Sequence, residues 1–401
     1  MPTLARQSAI DPPGLDDVPA GARVVVAMSG GVDSSVAAAL CRARGFEVVG
    51  ATLQLYDARE TPAAASKTCC AGRDIRDAKR VAAAIGIPHY VLDYEARFRR
   101  AVMEDFAATY VAGATPVPCI RCNQRVKFAD LLDFARDLGA AALVTGHYAR
   151  RARGRNGAEL HGAAEAARDQ SYFLFATTRA QLDFVRFPLG DLPKSETRAL
   201  AERFALPVAS KPDSQDICFV PDGDYAATVA QLRPDARAPG AVVDLDGRTL
   251  AAHDGVHHFT VGQRRGLGLG GGAGAPLYVA SIEPEARRVI VGPRQALAVE
   301  ACDLDEVNWL GPGDAPPAEG ILATVRLRST HAGAKARLSG GAGAARGARV
   351  EFAAPETGVA PGQAAVAYDG TRVLGGGFIR RRAVLTASGA RPKTPATSAA
   401  E

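Results

Sequence analysis

Short hydrophobic runs alternate with amphipathic stretches through the first half of the chain. The runs rich in β-branched residues predict buried strands at 23–28, 46–55, 89–92 and 141–144. Apolar residues at helical spacing predict helices at 34–44, 73–85, 98–110 and 128–138. Strands separated by helices predict a parallel sheet covered on both faces. Ligands of such sheets lie at the carboxyl ends of the strands.

The pattern changes after about residue 220, where glycine becomes dense and short β-rich runs recur. These runs are spaced about ten residues apart, which is typical of a small antiparallel barrel or sandwich. They lie at 277–282, 287–292, 321–328, 347–352, 363–368 and 372–380.

These changes divide the chain into five parts. A flexible arm over 1–20 has four prolines and no apolar segment, so it does not resemble a secretory signal. An α/β domain is predicted for 21–220, a small central domain for 221–290 and a β domain for 291–384. A tail over 385–401, rich in Ala, Pro, Ser and Thr, is predicted to be disordered.

Composition narrows the possible classes of protein. A hydrophobic fraction of 47% excludes wholesale disorder, and no apolar run approaches the roughly 18 residues of a membrane span. The net charge of +5 allows a nucleic-acid surface without requiring one. Seven cysteines without an export signal indicate the reducing cytoplasm, where paired cysteines are catalytic, redox-active or metal-binding.

A glycine- and serine-rich loop over 29–35 follows the first strand and opens the first helix. Backbone N–H groups and the positive helix end favour an anion there, and Gly30 and Gly31 let a phosphate approach the main chain. Asp33 could orient the loop or help hold Mg²⁺. The loop has no lysine to grip β- and γ-phosphates and is not a Walker A motif. A plain glycine turn with a serine cap is the less favoured alternative.

Two cysteines far apart in sequence are candidates for nucleophilic chemistry. Cys122 follows a proline-stiffened loop, near the predicted start of a helix and close to Arg121, Arg125 and Lys127; both features lower the pKa of a thiol. Cys218 lies in a polar segment, which favours a solvated, functional loop.

The remaining cysteines have simpler interpretations. Cys41 and Cys302 are predicted core residues. Cys119 and Cys122 could form a zinc site with the adjacent pair Cys69 and Cys70, but neighbouring cysteines fit the usual ligand spacing poorly. Zinc is therefore the minority interpretation, and we predict no metal ligands among these residues.

From about residue 22 to 382 the chain resembles the bacterial tRNA-specific 2-thiouridylases, members of the PP-loop superfamily of ATP pyrophosphatases. The resemblance rests on segments that occur in the right order, at 27–35 (AMSGGVDSS), 115–128 (TPVPCIRCNQRVKF), 145–150 (TGHYAR), 168–174 (RDQSYFL) and 211–219 (KPDSQDICF). It implies a Rossmann-like PP-loop nucleotide-binding domain, a small central domain and a C-terminal antiparallel β-barrel.

The resemblance also implies roles for individual residues. ATP would be held by Ala27, Met28, Ser29, Gly30, Gly31, Val32, Asp33, Ser34, Leu53 and Gly146. Cys218 would carry a persulfide, and Cys122 would be the second catalytic cysteine. The target base would meet Val117, Pro118 and Cys119, and tRNA would also contact Arg168, Asp169, Gln170, Arg328 and Ser329.

Three of these positions depart from the family pattern or vary within it. The family usually has Asn where Val117 stands and often has Lys where Arg168 stands. Position 119 is Asp or Cys in the family, so a general base there would have to be the Cys119 thiolate or another group.

The implied function is ATP- and Mg²⁺-dependent 2-thiolation of the wobble uridine of tRNA. Adenylation would activate the C2 oxygen, and a cysteine persulfide, loaded by a sulfur-donor protein, would deliver the sulfur. Arginine clusters make a phosphate track plausible, although any single cluster is more often a solvated face; they lie at 150–155, 264–265, 326–335 and 380–382.

Two alternatives remain open at this stage. One is another adenylating PP-loop enzyme, such as a tRNA lysidine synthetase or an argininosuccinate synthase. The other is a non-catalytic, zinc-stabilised RNA-binding protein. The sequence does not identify the sulfur donor, the tRNA species or the oligomeric state. Nor does it give the resting redox state of Cys122 and Cys218.

Overall fold

The computed structural model of the chain describes residues 14–56, 70–155, 157–213, 217–220, 223–269, 275–341 and 347–380. Of residues 70 and 71 it describes only the backbone. Cys69, the Cys70 side chain and the predicted tail over 385–401 lie outside this part of the chain. Across the described residues, no helix has the length and apolar character needed to cross a bilayer.

The first domain alternates strands and helices as the hydrophobic pattern predicts. Its elements are β1 (Arg23–Ala27), α1 (Val32–Ala43), β2 (Glu47–Gln54), α2 (Cys70–Ile85), β3 (His89–Asp93), α3 (Glu95–Phe98), α4 (Glu104–Val111), α5 (Pro118–Cys122), α6 (Asp130–Asp137), β4 (Ala142–Thr145), β5 (Ala149–Gly154), β6 (Gly157–Gly162), α7 (Arg179–Phe184), β7 (Val185–Arg186) and α8 (Lys194–Arg203). Two π-helical turns, Arg99–Met103 and Asn123–Lys127, continue α3 and α5.

Five parallel strands form the sheet of this domain, in the order β3-β2-β1-β4-β7. Successive residues of a strand face opposite sides of a sheet, and β1 shows this directly. Val24 and Val26 join the core formed with α1, α2 and α8. Val25 joins the core on the other face, which includes Leu131 and Leu132 of α6. The predicted α/β architecture is confirmed.

Residues 14–20 are part of the packed structure, which corrects the predicted flexible arm over 1–20. Leu15 is fully buried and Val18 is 6% exposed. The Asp17 carboxylate accepts hydrogen bonds from Arg151 at 2.8 Å and from Arg186 at 2.8 and 3.1 Å. These ion pairs fix the segment to β5 and β7. The prediction of a flexible arm rested on its proline content, which gives no information about ion pairs with distant residues.

The central region is a small mixed domain. It contains α9 (Tyr225–Leu232), β8 (Gly240–Val243), β9 (Thr249–His253), β10 (Tyr278–Glu283) and β11 (Arg288–Gly292). The four strands form one sheet in the order β10-β11-β8-β9. Its core holds Val242, Val279, Val289 and Val291.

Six antiparallel strands close the C-terminal domain into a barrel, because the first strand pairs with the last. The strands are β12 (Val299–Trp309), β13 (Ile321–Arg326), β14 (Ala334–Gly340), β15 (Ala348–Glu356), β16 (Ala364–Asp369) and β17 (Arg372–Ile379). The β5-β6 hairpin of the first domain also joins this sheet, since Arg372 of β17 pairs with His161 of β6. The barrel expected from the family resemblance is confirmed.

Candidate active site

The glycine- and serine-rich loop connects β1 to α1 at the carboxyl end of the sheet. Ser34 Oγ accepts a hydrogen bond from the Ser29 amide at 3.1 Å and lies 3.2 Å from Ser29 Oγ. Ser35 Oγ donates to the Gly31 carbonyl at 2.7 Å. Gly31 is the N-cap of α1 and makes no side-chain cap to the helix. The first turn therefore keeps amide donors for an anion.

Two glycines keep the space around this loop clear of side chains. Gly30 has φ +76°, and a Cβ there would lie 2.1 Å from the Asp74 carbonyl oxygen. A Cβ on Gly146, which follows β4, would lie 2.6 Å from the Ser34 amide nitrogen. The glycines that sequence reasoning assigned to ATP are thus places where the backbones of neighbouring elements touch.

Two lysines from distant segments reach the loop, each bound by two carboxylates. The buried Lys194 ammonium lies 2.6 Å from Asp33 Oδ1 and 2.9 Å from Asp213 Oδ1. Lys211 donates to the Gly30 carbonyl at 3.0 Å, and to Asp74 and Asp77 at 2.7 Å each. The loop itself has no lysine, but the fold brings two to it.

The sequence pattern does not mark Lys194 and Lys211 equally clearly as site residues. Lys194 lies 161 residues from its partner Asp33, and no local pattern marks it. Lys211 and Asp213 belong to the matched segment 211–219, so that motif carried a signal for both.

Besides its contact with Lys194, the Asp213 carboxylate pairs with Arg198 at 2.7 Å and with Arg168 at 3.0 Å. Burial raises the pKa of the Asp213 carboxyl, but these cations outweigh it and hold the pKa below its usual value.

The other predicted nucleotide residues lie along the same edge of the sheet. Met28 donates its amide to the Ala51 carbonyl of β2 at 2.8 Å. Leu53, near the end of β2, is partly buried against two clusters, one of which contains Cys122. Leu53 thus lies between a core of the parallel sheet and the cluster that contains Cys122.

Cys122 is the fifth residue of a helical segment that begins at Pro118 and continues through the π-helical turn to Lys127. Burial raises the pKa of its thiol above the usual value, and this effect outweighs Lys127, which lowers it. The nearby arginines are neutralised: Arg121 pairs with Glu306 at 2.6 Å and Arg125 with Asp105 at 2.9 Å. The expected lowering of the Cys122 pKa is therefore wrong for this arrangement.

Cys218 lies beside the cluster that contains Cys122. Phe219 packs edge-on against Phe98 and Phe106 in this cluster, and Tyr56 Oη donates to the Cys218 carbonyl at 2.7 Å. Cys218 is exposed, yet surrounding protein desolvates its thiol. Burial, and then the charges of Cys122 and Cys119, raise the Cys218 pKa to about 12. The two predicted catalytic cysteines thus lie in the same region of the molecule, and no disulfide joins them in the structure.

The C-terminal barrel holds the helix that carries Cys119 and Cys122. Arg121 makes a bidentate ion pair with Glu306 at 2.7 and 2.6 Å, and its guanidinium stacks on Phe378 at 3.8 Å. Glu306 has φ +48° and lies where the pairing of β12 with β17 shifts register. Gln363 also donates to the Thr115 carbonyl at 3.3 Å.

The residues predicted to contact the target base differ in exposure. Val117 and Pro118 are buried, whereas Cys119 is exposed. Arg328, predicted to contact tRNA from the barrel, is exposed, and its neighbour Ser329 is half-buried.

Asp169 and Gln170 have partners inside the protein. Asp169 accepts from Ser171 N at 2.9 Å and pairs with Arg326 at 2.7 Å, and Gln170 Oε1 accepts from Tyr148 N at 2.8 Å. Other members of the arginine clusters are also paired, Arg151 with Asp17 and Arg380 with Asp305. Contact of these residues with tRNA stays a prediction.

In the described part of the chain, no group of three or more His, Cys, Asp or Glu side chains is arranged to hold a metal ion. A zinc site using Cys69 and Cys70 would involve side chains outside that part.

Fold and site together define a class: a PP-loop α/β protein with two clustered thiols, a small central domain and a closed C-terminal β-barrel. A family model described as tRNA methyl transferase HUP domain matches residues 22–222. Models described as tRNA methyl transferase PRC-barrel domain and aminomethyltransferase beta-barrel domain match 228–293 and 299–379.

Full-length relatives agree with one another. The tRNA-specific 2-thiouridylase MnmA of Paracoccus denitrificans is 58% identical, covering 94% of this chain and 96% of its own. That of Hyphomonas neptunium is 60% identical, covering 92% and 93%. A solved 4-thiouridine synthetase–RNA complex with bound ATP is 20% identical, covers 54% of this chain and 51% of its own, and has a TM-score of 0.34. The chain belongs to the tRNA-specific 2-thiouridylase family.

Proposed function

We propose that the protein replaces the C2 oxygen of the wobble uridine in tRNA by sulfur, using ATP. The observation that carries the proposal is that Cys218 lies beside the hydrophobic cluster containing Cys122, near enough for the two thiols to influence each other electrostatically. Relatives at 58% and 60% identity are named 2-thiouridylases. The family models name methyl transfer instead; paired thiols are reagents for sulfur transfer and favour the first description.

The loop fits a triphosphate by its own chemistry. It offers helix amides without a side-chain cap and serine hydroxyls, and Gly30 and Gly146 let the neighbouring backbones pack closely around it. Lys194 would shield the phosphates from the carboxylates of Asp33 and Asp213, and Lys211 would shield them from those of Asp74 and Asp77. The hydrogen bonds of Lys194 and Tyr148 to Asp33 both end on Oδ1, which leaves Oδ2 for Mg²⁺. A bound Mg²⁺ would neutralise phosphate charge and orient the triphosphate.

The reaction needs both halves of the site. A carbonyl oxygen is a poor leaving group, and adenylation of the uridine C2 oxygen converts it into one that departs as AMP. The terminal sulfur of a Cys218 persulfide would attack C2. Cys122 would then attack the Cys218 sulfur of that persulfide, releasing the terminal sulfur to the base and leaving a Cys122–Cys218 disulfide.

Protonation explains why a persulfide suits this pocket. The Cys218 thiol, with a pKa of about 12, is protonated at neutral pH. A persulfide is more acidic than a thiol, so it can ionise where the parent cysteine does not. A sulfur-donor protein would load Cys218, whose exposure allows the approach, and the cytoplasm would supply both tRNA and a reducing environment.

The tRNA would present its unpaired anticodon base to this site, which costs little energy because the base is not in a duplex. We assign the exposed Cys119 to the base and the exposed Arg328 to the RNA backbone. Arg168, with 43% of its side chain exposed, is also available to a phosphate.

The test uses unmodified tRNA transcript, ATP, Mg²⁺ and glutathione persulfide, with nucleosides analysed by mass spectrometry. We expect 2-thiouridine from the wild type and from the control Cys302→Ala, whose thiol lies in the barrel core. Cys218→Ser and Cys122→Ser should form none while binding ATP normally. Inorganic sulfide, which bypasses the persulfide, should restore product to Cys218→Ser.

Transcript labelled with oxygen-18 at C2 of the wobble uridine tests activation separately. We expect the label in AMP. Methylated nucleoside instead of thiolated nucleoside, or full thiolation by both serine variants with glutathione persulfide, would refute the proposal.

A further inference from the structure

Three cysteines, not two, lie at the proposed centre of sulfur transfer. Cys119 and Cys122 are at the spacing Cys-x-x-Cys on α5, where the Asn123 amide bonds back to the Cys119 carbonyl. Cys119 is exposed, whereas Cys122 is 7% exposed and faces the cluster that contains Phe219. Cys122 therefore shares its helix with a surface thiol and also lies near Cys218, on which both thiols act electrostatically.

We propose that Cys119 is a third reacting thiol, which takes over the disulfide left by each sulfur transfer. The inference rests on the proposed function. The Cys119 thiolate attacks the Cys122 sulfur of the Cys122–Cys218 disulfide. The Cys119–Cys122 bond forms, the Cys122–Cys218 bond breaks, and Cys218 departs with the electron pair and gains a proton. A dithiol reductant then reduces the Cys119–Cys122 disulfide and is itself oxidised.

The local geometry suits this exchange. Cysteines three residues apart on a helix have Cβ atoms about 5–6 Å apart, and a disulfide needs about 3.5–4.5 Å, so α5 must tighten or unwind slightly. The π-helical turn Asn123–Lys127 follows directly and is a wider, less regular turn that can absorb such a change. Cys-x-x-Cys is the spacing of reversible dithiols in redox proteins.

The exchange separates two steps that would otherwise compete for one sulfur. Reduction of a Cys122–Cys218 disulfide at its accessible end would place the reductant on Cys218, where the next sulfur must be loaded. After the exchange, the exposed sulfur of the disulfide is that of Cys119 on α5, and the reductant attacks there. Cys218 is then a free thiol that the sulfur donor can load.

The first test needs neither tRNA nor ATP. The full chain is equilibrated in glutathione redox buffers, quenched with acid and mapped by differential alkylation and peptide mass spectrometry. We expect a Cys119–Cys122 disulfide in the wild type and in Cys218→Ser, and a Cys122–Cys218 disulfide in Cys119→Ser. Cys41 and Cys302, both buried, serve as internal controls that stay reduced. Finding only Cys122–Cys218 in the wild type would overturn the inference.

The second test follows thiolation with limiting dithiol reductant. The readout is the rate of later turnovers divided by the first-turnover rate of the same variant, which cancels any effect of Cys119 on base binding. We expect this ratio to fall several-fold in Cys119→Ser and to stay at the wild-type value in Cys302→Ala. An unchanged ratio in Cys119→Ser would contradict the proposal. If the wild type makes no 2-thiouridine, the proposed function fails, and the redox map still decides the exchange.

Discussion

Gly146→Ala should weaken nucleotide binding without unfolding the protein. The new Cβ would lie 2.6 Å from the Ser34 amide nitrogen and 2.8 Å from the Asp33 carbonyl carbon. Both are backbone atoms, so no side chain can swing aside. The loop between β4 and β5 and the start of α1 must move apart by several tenths of an ångström.

The expected size follows from the cost of overpacking, about 1–3 kcal/mol. Because the displaced amides are those proposed to hold phosphate, this cost should appear mainly in binding. It corresponds to about a fivefold to about a 150-fold loss of ATP affinity.

Isothermal titration calorimetry with ATP measures the effect, and thermal unfolding monitors the fold. Gly72→Ala is the matched control, because it lies in α2 and a Cβ there meets nothing within 4 Å. Gly72→Ala should bind as the wild type does. If Gly146→Ala kept wild-type affinity, or lost only thermal stability, the assignment of this loop to the nucleotide would be wrong.

Three further substitutions test the ion pairs of the site and its supports. Lys194→Met leaves two carboxylates at the phosphate loop without their shared cation, so calorimetry should show at least about tenfold weaker ATP binding, with Lys194→Arg less affected. Glu306→Gln removes the charge that holds Arg121, and loss of about 1.5 kcal/mol should make Cys122 alkylation about tenfold faster; an unchanged alkylation rate would argue against this support. Asp17→Asn should lower the free energy of unfolding at pH 7 by about 3 kcal/mol. Burial raises the pKa of the Asp17 carboxyl, but Arg186 and Arg151 outweigh burial and hold the pKa below its usual value. The stability difference between wild type and Asp17→Asn in denaturant titrations should therefore be complete above the pH range in which an ordinary aspartate titrates. It should vanish as the pH falls through the lowered pKa of the folded state.

The sequence pattern predicts those elements whose side chains repeat with a clear period. The buried strands around Val25 and Leu143 and the helix over 73–85 were found because burial alternates regularly there. Strand β12 was missed, because its apolar residues are interrupted by charged ones and its pairing contains a bulge. Strand β14, with its polar alternation, was missed for a similar reason.

The site divides in the same way. Loop 29–35 and the cysteines are visible locally as motifs, so their chemistry could be inferred before the fold. Lys194, Glu306 and Asp17 act across more than 100 residues of sequence through ion pairs, which leave no periodic trace. The Cys122 pKa was misjudged for the same reason, since desolvation depends on what the fold packs around a thiol.

The Arg121–Glu306 pair has a consequence for how this molecule can be taken apart. Helix α5, which carries Cys119 and Cys122, is held in place by a residue of β12 almost two hundred positions away. A fragment ending before the barrel would therefore retain the nucleotide loop but lose the ion pair that holds α5. Exchanging barrels between homologues would succeed only where the donor barrel has a carboxylate at the position of Glu306, with the same left-handed backbone conformation. The barrel and α5 are therefore expected to be exchangeable only together.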